Sequence, residues 1–118
     1  MSLTSAEFLE RLGALVPEVE PTVREHLGDN DGEMLLHLLT ADLRRLAIAW
    51  FSAAQDEPLH RLLDVVATEL RQGDDHVQNA MVVSFVEDAG WWEPQMQPFI
   101  ATWPAELANE LARHRAEG

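Results

Sequence analysis

Two adjacent tryptophans flanked by carboxylates are the residues whose types and spacing most directly suggest chemistry in this sequence. Glu87 and Asp88 come shortly before Trp91 and Trp92, and Glu93 follows them directly. An indole face attracts a cation, and a neighbouring carboxylate accepts hydrogen bonds from a guanidinium or ammonium group. This combination predicts a surface that binds arginine or lysine side chains of a partner. The alternative is that a tryptophan closes the end of a helical bundle while the carboxylates lie in solvent.

Trp103 is a third aromatic anchor in the segment from residue 91 to residue 104. Pro94, Pro98 and Pro104 prevent one long helix between residues 91 and 104, so short turns are predicted there. Because adjacent residues of a turn point in different directions, at least one of the two neighbouring tryptophans is expected to be exposed and to serve as an interface anchor. The predicted partner-binding residues are Glu87, Asp88, Trp91, Trp92, Glu93 and Trp103.

Histidine and glutamate pairs at helical spacing raise the question of a metal site. Glu33 and His37 are four residues apart, and Glu57 with His60 has the Glu-x-x-His spacing of di-iron bundles. Such a bundle needs two of these motifs and two further glutamates, whereas the sequence has one motif. We therefore predict no metal and no cofactor. A small metal- or ligand-binding protein that uses His37, His60 and nearby carboxylates is the alternative function.

The usual signatures of catalysis are missing from the sequence. The chain has neither lysine nor cysteine, which excludes Schiff-base and thiolate chemistry. Ser84 lies between Val83 and Phe85 rather than in a Gly-x-Ser-x-Gly turn, so a packing role at a helix contact is favoured over a nucleophilic one. Glycine-rich phosphate-binding motifs do not occur. We predict no catalytic residues and a function other than catalysis.

Acidic side chains dominate the charge of the protein. The sequence has 21 acidic and 8 basic residues, for a net charge of −13, and every basic residue is an arginine. No arginine occurs between Arg71 and Arg113, a stretch that contains several carboxylates. Such a field repels nucleic acid and anionic lipid and favours a basic protein as the partner. The alternative is that the charge serves only solubility.

The sequence carries no feature of export or membrane insertion. Its first residues lack the basic and apolar regions of a secretory signal, and no apolar stretch reaches the roughly 18 residues that a membrane span needs. The absence of cysteine fits a reducing compartment. We expect a cytoplasmic protein that binds neither membrane nor nucleic acid, and the sequence leaves its oligomeric state open.

Apolar residues recur with helical periodicity between short breaks at glycine, proline and aspartate. This pattern predicts helices over residues 4–16, 20–27, 31–54, 57–72, 75–89 and 104–115. The β-rich run from 81 to 86 is compatible with a strand, but its apolar spacing favours a helix. With 118 residues, 47% of them apolar, one domain is predicted over residues 1–118. The predicted class is all-α, with five or six helices in an irregular bundle or short helical-repeat-like stack around the apolar helix 31–54.

Polar residues near the helix starts and within the apolar helix predict specific local contacts. A charge at the position of Asp42 needs a partner, so a buried ion pair is predicted for it. Capping boxes, in which two side chains satisfy each other's backbone N–H groups, are predicted for Thr4 with Glu7, Asn30 with Glu33, and Asp75 with Gln78.

Two stretches of the sequence resemble a known family. They are the run Asn-Ala-Met-Val-Val-Ser-Phe-Val-Glu-Asp-Ala-Gly-Trp-Trp from Asn79 to Trp92 and the run Phe-Ile-Ala-Thr-Trp-Pro from Phe99 to Pro104. Together they resemble a family of small bacterial proteins that carry a domain of unknown function, and the resemblance implies no activity. In size, acidity and predicted helicity the chain is also similar in general character to bacterial immunity proteins, which bind and neutralise a toxin. That similarity implies a non-catalytic, acidic protein-binding function.

Overall fold

Helices make up the regular secondary structure of residues 4–117, the part of the chain that the computed structural model describes. The α-helices are α1 (Ser5–Leu15), α2 (Glu20–Asp29), α3 (Leu36–Ser52), α4 (Asp56–Gln72), α5 (Asp75–Ala80), α6 (Gln97–Ile100) and α7 (Ala105–Glu117). Helix α5 continues directly into a π-helical segment (Met81–Val86) and a 3-10 turn (Glu87–Ala89), and further 3-10 turns cover Pro17–Val19 and Pro94–Met96. No strand forms within residues 4–117, so the predicted all-α class is confirmed. None of the helices in this range is long and apolar enough to cross a membrane.

Helices α3 and α4, with 17 residues each, are the longest of the described helices and form the centre of the bundle. Helix α4 packs against α1, α3, α5, α7 and the π segment, and α3 packs against α2, α4, α5 and the π segment. The α4 side chains that are withdrawn from solvent are those of Leu59, Leu62, Leu63, Val65, Val66, Ala67 and Glu69. The helix predicted to be central therefore shares that position with α4, and its Leu38 is 53% exposed.

Helix α3 begins five residues later than predicted, at Leu36 instead of Asp31. Asp31 and Gly32 have φ angles of 55° and 81°, a left-handed conformation that a right-handed helix cannot contain. The predicted capping box of Asn30 is wrong, because its amide donates to the backbone oxygen of His26 at 2.7 Å. The backbone N–H at the start of α3 is satisfied from another helix instead: Leu35 N–H donates to His26 Nε2 at 3.0 Å.

The other two predicted caps have different outcomes. Thr4 and Glu7 form the predicted capping box, with Glu7 N–H donating to Thr4 Oγ1 at 3.2 Å. The cap of α5 lies one residue earlier than predicted, because Asp74 rather than Asp75 accepts the backbone N–H of Val77, at 2.9 Å. The cap needs extended backbone, and Asp74 has ψ 175° whereas Asp75 is already the first helical residue.

The run from 81 to 86 is helical, as its apolar spacing predicts. Val77, Ala80, Met81, Ser84 and Phe85 are all buried, which places the predicted face against the rest of the bundle. Over Met81–Val86 the helix widens to π geometry, and Gly90 then leaves the helical path with φ 72°. This left-handed glycine turns the chain and begins the segment that contains the adjacent tryptophans.

Two carboxylates on the central helices α3 and α4 form ion pairs that differ in burial. Asp42 is paired, with Arg45 Nη1 at 2.7 Å and His26 Nδ1 at 3.4 Å, but its side chain is 35% exposed rather than buried. The acidic side chain that is fully buried is Glu69 of α4, whose Oε1 accepts from Arg11 Nε at 3.2 Å. The pairing predicted for Asp42 is therefore present, whereas its predicted burial is wrong.

Candidate partner-binding surface

The turn after Gly90 presents two tryptophan rings at a right angle to each other. Their ring centroids lie 5.6 Å apart and the ring planes are 86° apart. Trp92 is 61% exposed, whereas Trp91 is half-buried. The two side chains are unequally exposed, as expected for adjacent residues of a turn. Among the exposed large apolar side chains of the described residues, Trp92 has the largest exposed fraction.

The last turn of α7 covers the other tryptophan. The guanidinium carbon of Arg115 lies 5.2 Å from the centroid of the Trp91 ring, a cation–π contact. The ring of His114 meets Trp91 edge-on, with centroids 6.2 Å apart, and His114 Nδ1 is 3.2 Å from Glu87 Oε1. Two residues from the C-terminal end of α7 thus belong to the same surface as the predicted tryptophans.

Two of the three predicted carboxylates belong to this surface. Glu87 is half-buried beside His114, and Glu93 Oε2 accepts a hydrogen bond from Gln95 Nε2 at 2.6 Å. Asp88 points to α3 instead, where its Oδ2 is 3.5 Å from Arg44 Nη1, and its side chain is 60% exposed. We use the name tryptophan surface for Glu87, Trp91, Trp92, Glu93, His114 and Arg115.

Trp103 does not belong to the tryptophan surface, although the sequence analysis placed it in the partner-binding set. It is only 7% exposed and packs between Phe85 and Phe99, at centroid distances of 6.0 and 5.9 Å. Its Nε1 is buried and has no hydrogen-bond acceptor among the described residues. The turns after Pro94 return the chain to the core, so this indole stabilises the fold instead of facing a partner.

A groove beside α7 leads to the tryptophan surface. It consists of two adjoining cavities of about 380 and 310 Å³, which share Val82, Glu110 and Arg113. The smaller cavity reaches Glu87 and His114 of the tryptophan surface. The arginine side chains of the groove are engaged within the chain, since Arg113 pairs with Glu110 in α7 and Arg71 Nη1 pairs with Glu106 Oε1 at 2.7 Å. Glu106 and Glu110 of the groove are therefore already neutralised by arginines of the same chain.

A second polar cluster joins α3 to the π segment. His37 Nδ1 lies 3.0 Å from Ser84 Oγ, and Arg44 Nη1 donates to the backbone oxygen of Ser84 at 2.9 Å. The ring of His76 meets His37 edge-on at 5.9 Å. Burial lowers the pKa of Arg44, and the nearby carboxylate of Asp88 opposes that shift. Sequence reasoning missed this contact because Ser84 and His37 are 47 residues apart and neither carries a catalytic motif.

The contacts of Ser84 favour a packing role over a nucleophilic one. Its side chain is buried at the contact of the π segment with α3, and its backbone oxygen is already engaged by Arg44. The neighbour of the His37 ring is a second histidine, whereas a catalytic histidine is held by a carboxylate in the usual triad. The cluster therefore fixes the π segment on α3, which in turn positions the turn at Gly90.

The residues of the metal-binding alternative are not gathered into one site. Within residues 4–117, no group of three or more histidine, aspartate or glutamate side chains is placed to hold a metal ion. His37 is engaged with Ser84 and His76, while His60 is exposed and lines a shallow cavity with Asp64 and Thr102. Glu33 and Glu57 are likewise exposed.

The fold and the surface together describe a small, acidic, all-helical domain with an exposed indole beside carboxylates. Residues 9–116 match the family described as a domain of unknown function (DUF7674). Because the match spans most of the chain, this protein belongs to that family, and the predicted resemblance to a family with a domain of unknown function is confirmed. No curated protein and no solved structure matches the chain.

Proposed function

We propose that this protein is a non-catalytic binding module that recognises a basic protein through the tryptophan surface. The observation that carries the proposal is Trp92, which is 61% exposed at a right angle to Trp91 and is followed directly by Glu93. An indole held on a short turn has little conformational entropy to lose on binding, and tryptophan is among the residues that contribute most to interfaces. A partner would gain by covering this ring.

The charge of the protein defines the chemistry of the partner. A net charge of −13 attracts basic proteins over long distances and repels acidic ones. Because Glu106 and Glu110 in the groove beside α7 are paired with Arg71 and Arg113, the attraction comes from the net charge of the whole protein rather than from the groove. Electrostatic attraction would govern the association rate, while burial of Trp92 would govern the lifetime of the complex.

An immunity-type role is the particular form of this proposal that size, acidity and helicity favour. In that form the protein is bacterial and cytoplasmic, and the basic partner is a toxin that is neutralised when its surface is covered. Neutralisation requires only that the complex occlude the partner's own site, so the binding module needs no catalytic residue. The immunity-type role rests on an analogy of size, acidity and helicity, and it adds neutralisation of the partner to the binding proposal.

Affinity capture tests the proposal. The wild-type protein is immobilised at low salt, exposed to lysate of the source organism and eluted at high salt, with Trp92→Ala and Leu38→Ala in parallel. Leu38 is a matched control because it is an equally apolar residue, 53% exposed on α3. We expect one basic protein in stoichiometric amount with the wild type and with Leu38→Ala, and its loss with Trp92→Ala. Equal recovery with all three proteins would contradict the proposal.

A further inference from the structure

The arginine at the end of α7 is held on the tryptophan surface by aromatic contact alone, as far as the described side chains show. Arg115 is exposed, its guanidinium carbon lies 5.2 Å from the Trp91 centroid, and no described carboxylate lies within ion-pair distance of it. Arg113, two residues earlier, is paired with Glu110. The guanidinium of Arg115 is therefore held on Trp91 by a weak contact, whereas the guanidinium of Arg113 is held by an ion pair.

The shape of the surface suits a guanidinium better than an ammonium group. Trp91 and Trp92 form a corner with ring planes 86° apart, and a planar guanidinium can stack on one indole while its edge points along the other. Glu93 follows Trp92 directly in the chain, and Glu87 reaches the same surface through His114, whose ring meets Trp91 edge-on. A guanidinium stacked on an indole keeps N–H groups free for such carboxylates. A lysine ammonium has no flat face to stack and is more strongly hydrated.

These observations lead to one inference about the recognition of the partner, which rests on the proposed function. We propose that Arg115 is an internal substitute for an arginine of the partner: it occupies the Trp91 face in the free protein and is displaced when the partner binds. The protein then prefers a partner that has arginine rather than lysine at the position that contacts Trp91. Arg115, in the last turn of α7, competes with the partner for the Trp91 ring. This competition lowers the affinity for basic segments that have no arginine at the position that meets Trp91.

Competition predicts that removal of the internal arginine strengthens binding. An exposed cation–π contact has a strength that corresponds to roughly a two- to fivefold change in affinity, and this sets the expected gain for Arg115→Gln. Removal of any positive charge also increases the general attraction of a cationic ligand, so a control of equal charge is needed. Arg24→Gln supplies it, because it removes one charge from an exposed arginine that pairs with Glu20 within α2, outside the groove and the tryptophan surface.

The test uses synthetic hexa-arginine and hexa-lysine peptides titrated into the full-length protein, observed through the indole N–H signals of its four tryptophans by NMR. Substitution of each tryptophan by phenylalanine assigns the signals. We expect hexa-arginine to shift the Trp91 and Trp92 signals at lower concentration than hexa-lysine. We also expect Arg115→Gln to bind hexa-arginine roughly two- to fivefold more tightly than Arg24→Gln does.

The outcomes separate this inference from the proposed function. Equal affinities of Arg115→Gln and Arg24→Gln for hexa-arginine, with the Trp91 and Trp92 signals still shifted, would overturn the internal competitor and leave the binding surface in place. Equal binding of the two peptides would overturn the selection for arginine. If neither peptide shifted the Trp91 or Trp92 signals, the basic-partner function itself would fail.

Discussion

The buried carboxylate of Glu69 accepts one hydrogen bond from Arg11, at 3.2 Å, and its second oxygen has no partner among the described residues. Burial raises the pKa of Glu69 above its ordinary value of 4.5, and Arg11 offsets this only in part. A raised pKa means that the stabilising contribution is fully present below the ordinary pKa and is lost as the pH rises through the higher pKa of the folded protein.

The first prediction concerns the pH dependence of stability. As the pH falls from about 7 towards 4.5, the wild type should gain free energy of unfolding relative to Glu69→Gln, which cannot take up the proton. Chemical denaturation at a series of pH values measures this difference. Glu10→Gln, an exposed position on α1, is the control and should show no such trend. A difference between wild type and Glu69→Gln that stays constant with pH would contradict the assignment.

The second prediction concerns Arg11, the partner of that carboxylate. Arg11→Met leaves a buried charge without its cation, so we expect a loss of about 1–3 kcal/mol in the free energy of unfolding at neutral pH. Because the Arg11 side chain is 38% exposed, the loss should fall below that of a fully buried pair. The double variant Arg11→Met, Glu69→Gln should recover most of it. Additive losses in a double-mutant cycle would show that the two side chains do not interact.

The third prediction concerns His26, which connects α2 to the start of α3. Its ring is 2% exposed, its Nε2 accepts from Leu35 N–H and its Nδ1 lies 3.4 Å from Asp42 Oδ2. His26→Ala leaves the Leu35 N–H without this acceptor and should cost about 1–3 kcal/mol. Hydrogen exchange at the Leu35 amide should become faster. His60→Ala, at an exposed histidine, should change neither quantity; unchanged exchange in His26→Ala would contradict the cap.

The fourth prediction concerns the glycine between α4 and α5. A Cβ at Gly73 would lie 2.5 Å from the backbone oxygen of Glu69 and 2.6 Å from Val77 Cγ1, so Gly73→Ala should destabilise the protein by about 1–3 kcal/mol. A Cβ at Gly13 on α1 meets nothing within 4 Å, and Gly13→Ala should stabilise by about 0.5–1 kcal/mol through helix propensity. Thermal unfolding of both variants tests the pair, and a neutral Gly73→Ala would contradict the close packing.

Local signals in the sequence were sufficient for most of the fold. The capping box at Thr4 and the apolar spacing around Ser84 depend only on residues within one or two turns, and both predictions agree with the structure. The start of α3 was predicted wrongly because its cap comes from His26 on another helix, and left-handed backbone at Asp31 and Gly32 ends the helical path before it. A polar contact between two helices, such as that of His26 with the Leu35 N–H, leaves no periodic signal in the sequence.

The candidate site was predicted only in part, because some of its contacts join residues that are far apart in the chain. Composition and adjacency identified the tryptophan pair and its carboxylates, because these residues are neighbours in the chain. Burial of Trp103 depends on the proline-rich turns that return it to Phe85, and the contribution of Arg115 depends on how α7 packs. Both are tertiary effects, so the sequence indicated the chemistry of the surface but neither excluded Trp103 nor included the end of α7.

Recognition of a basic partner through the tryptophan surface is tested by the salt dependence of the affinity for the captured partner, measured by calorimetry for the wild type and Trp92→Ala. We expect the wild-type Kd to rise steadily between about 50 and 500 mM NaCl, because attraction between opposite charges is screened. We also expect Trp92→Ala to weaken binding about tenfold or more at every salt concentration. An affinity that changes with neither salt nor Trp92→Ala would contradict recognition of a basic partner through the tryptophan surface.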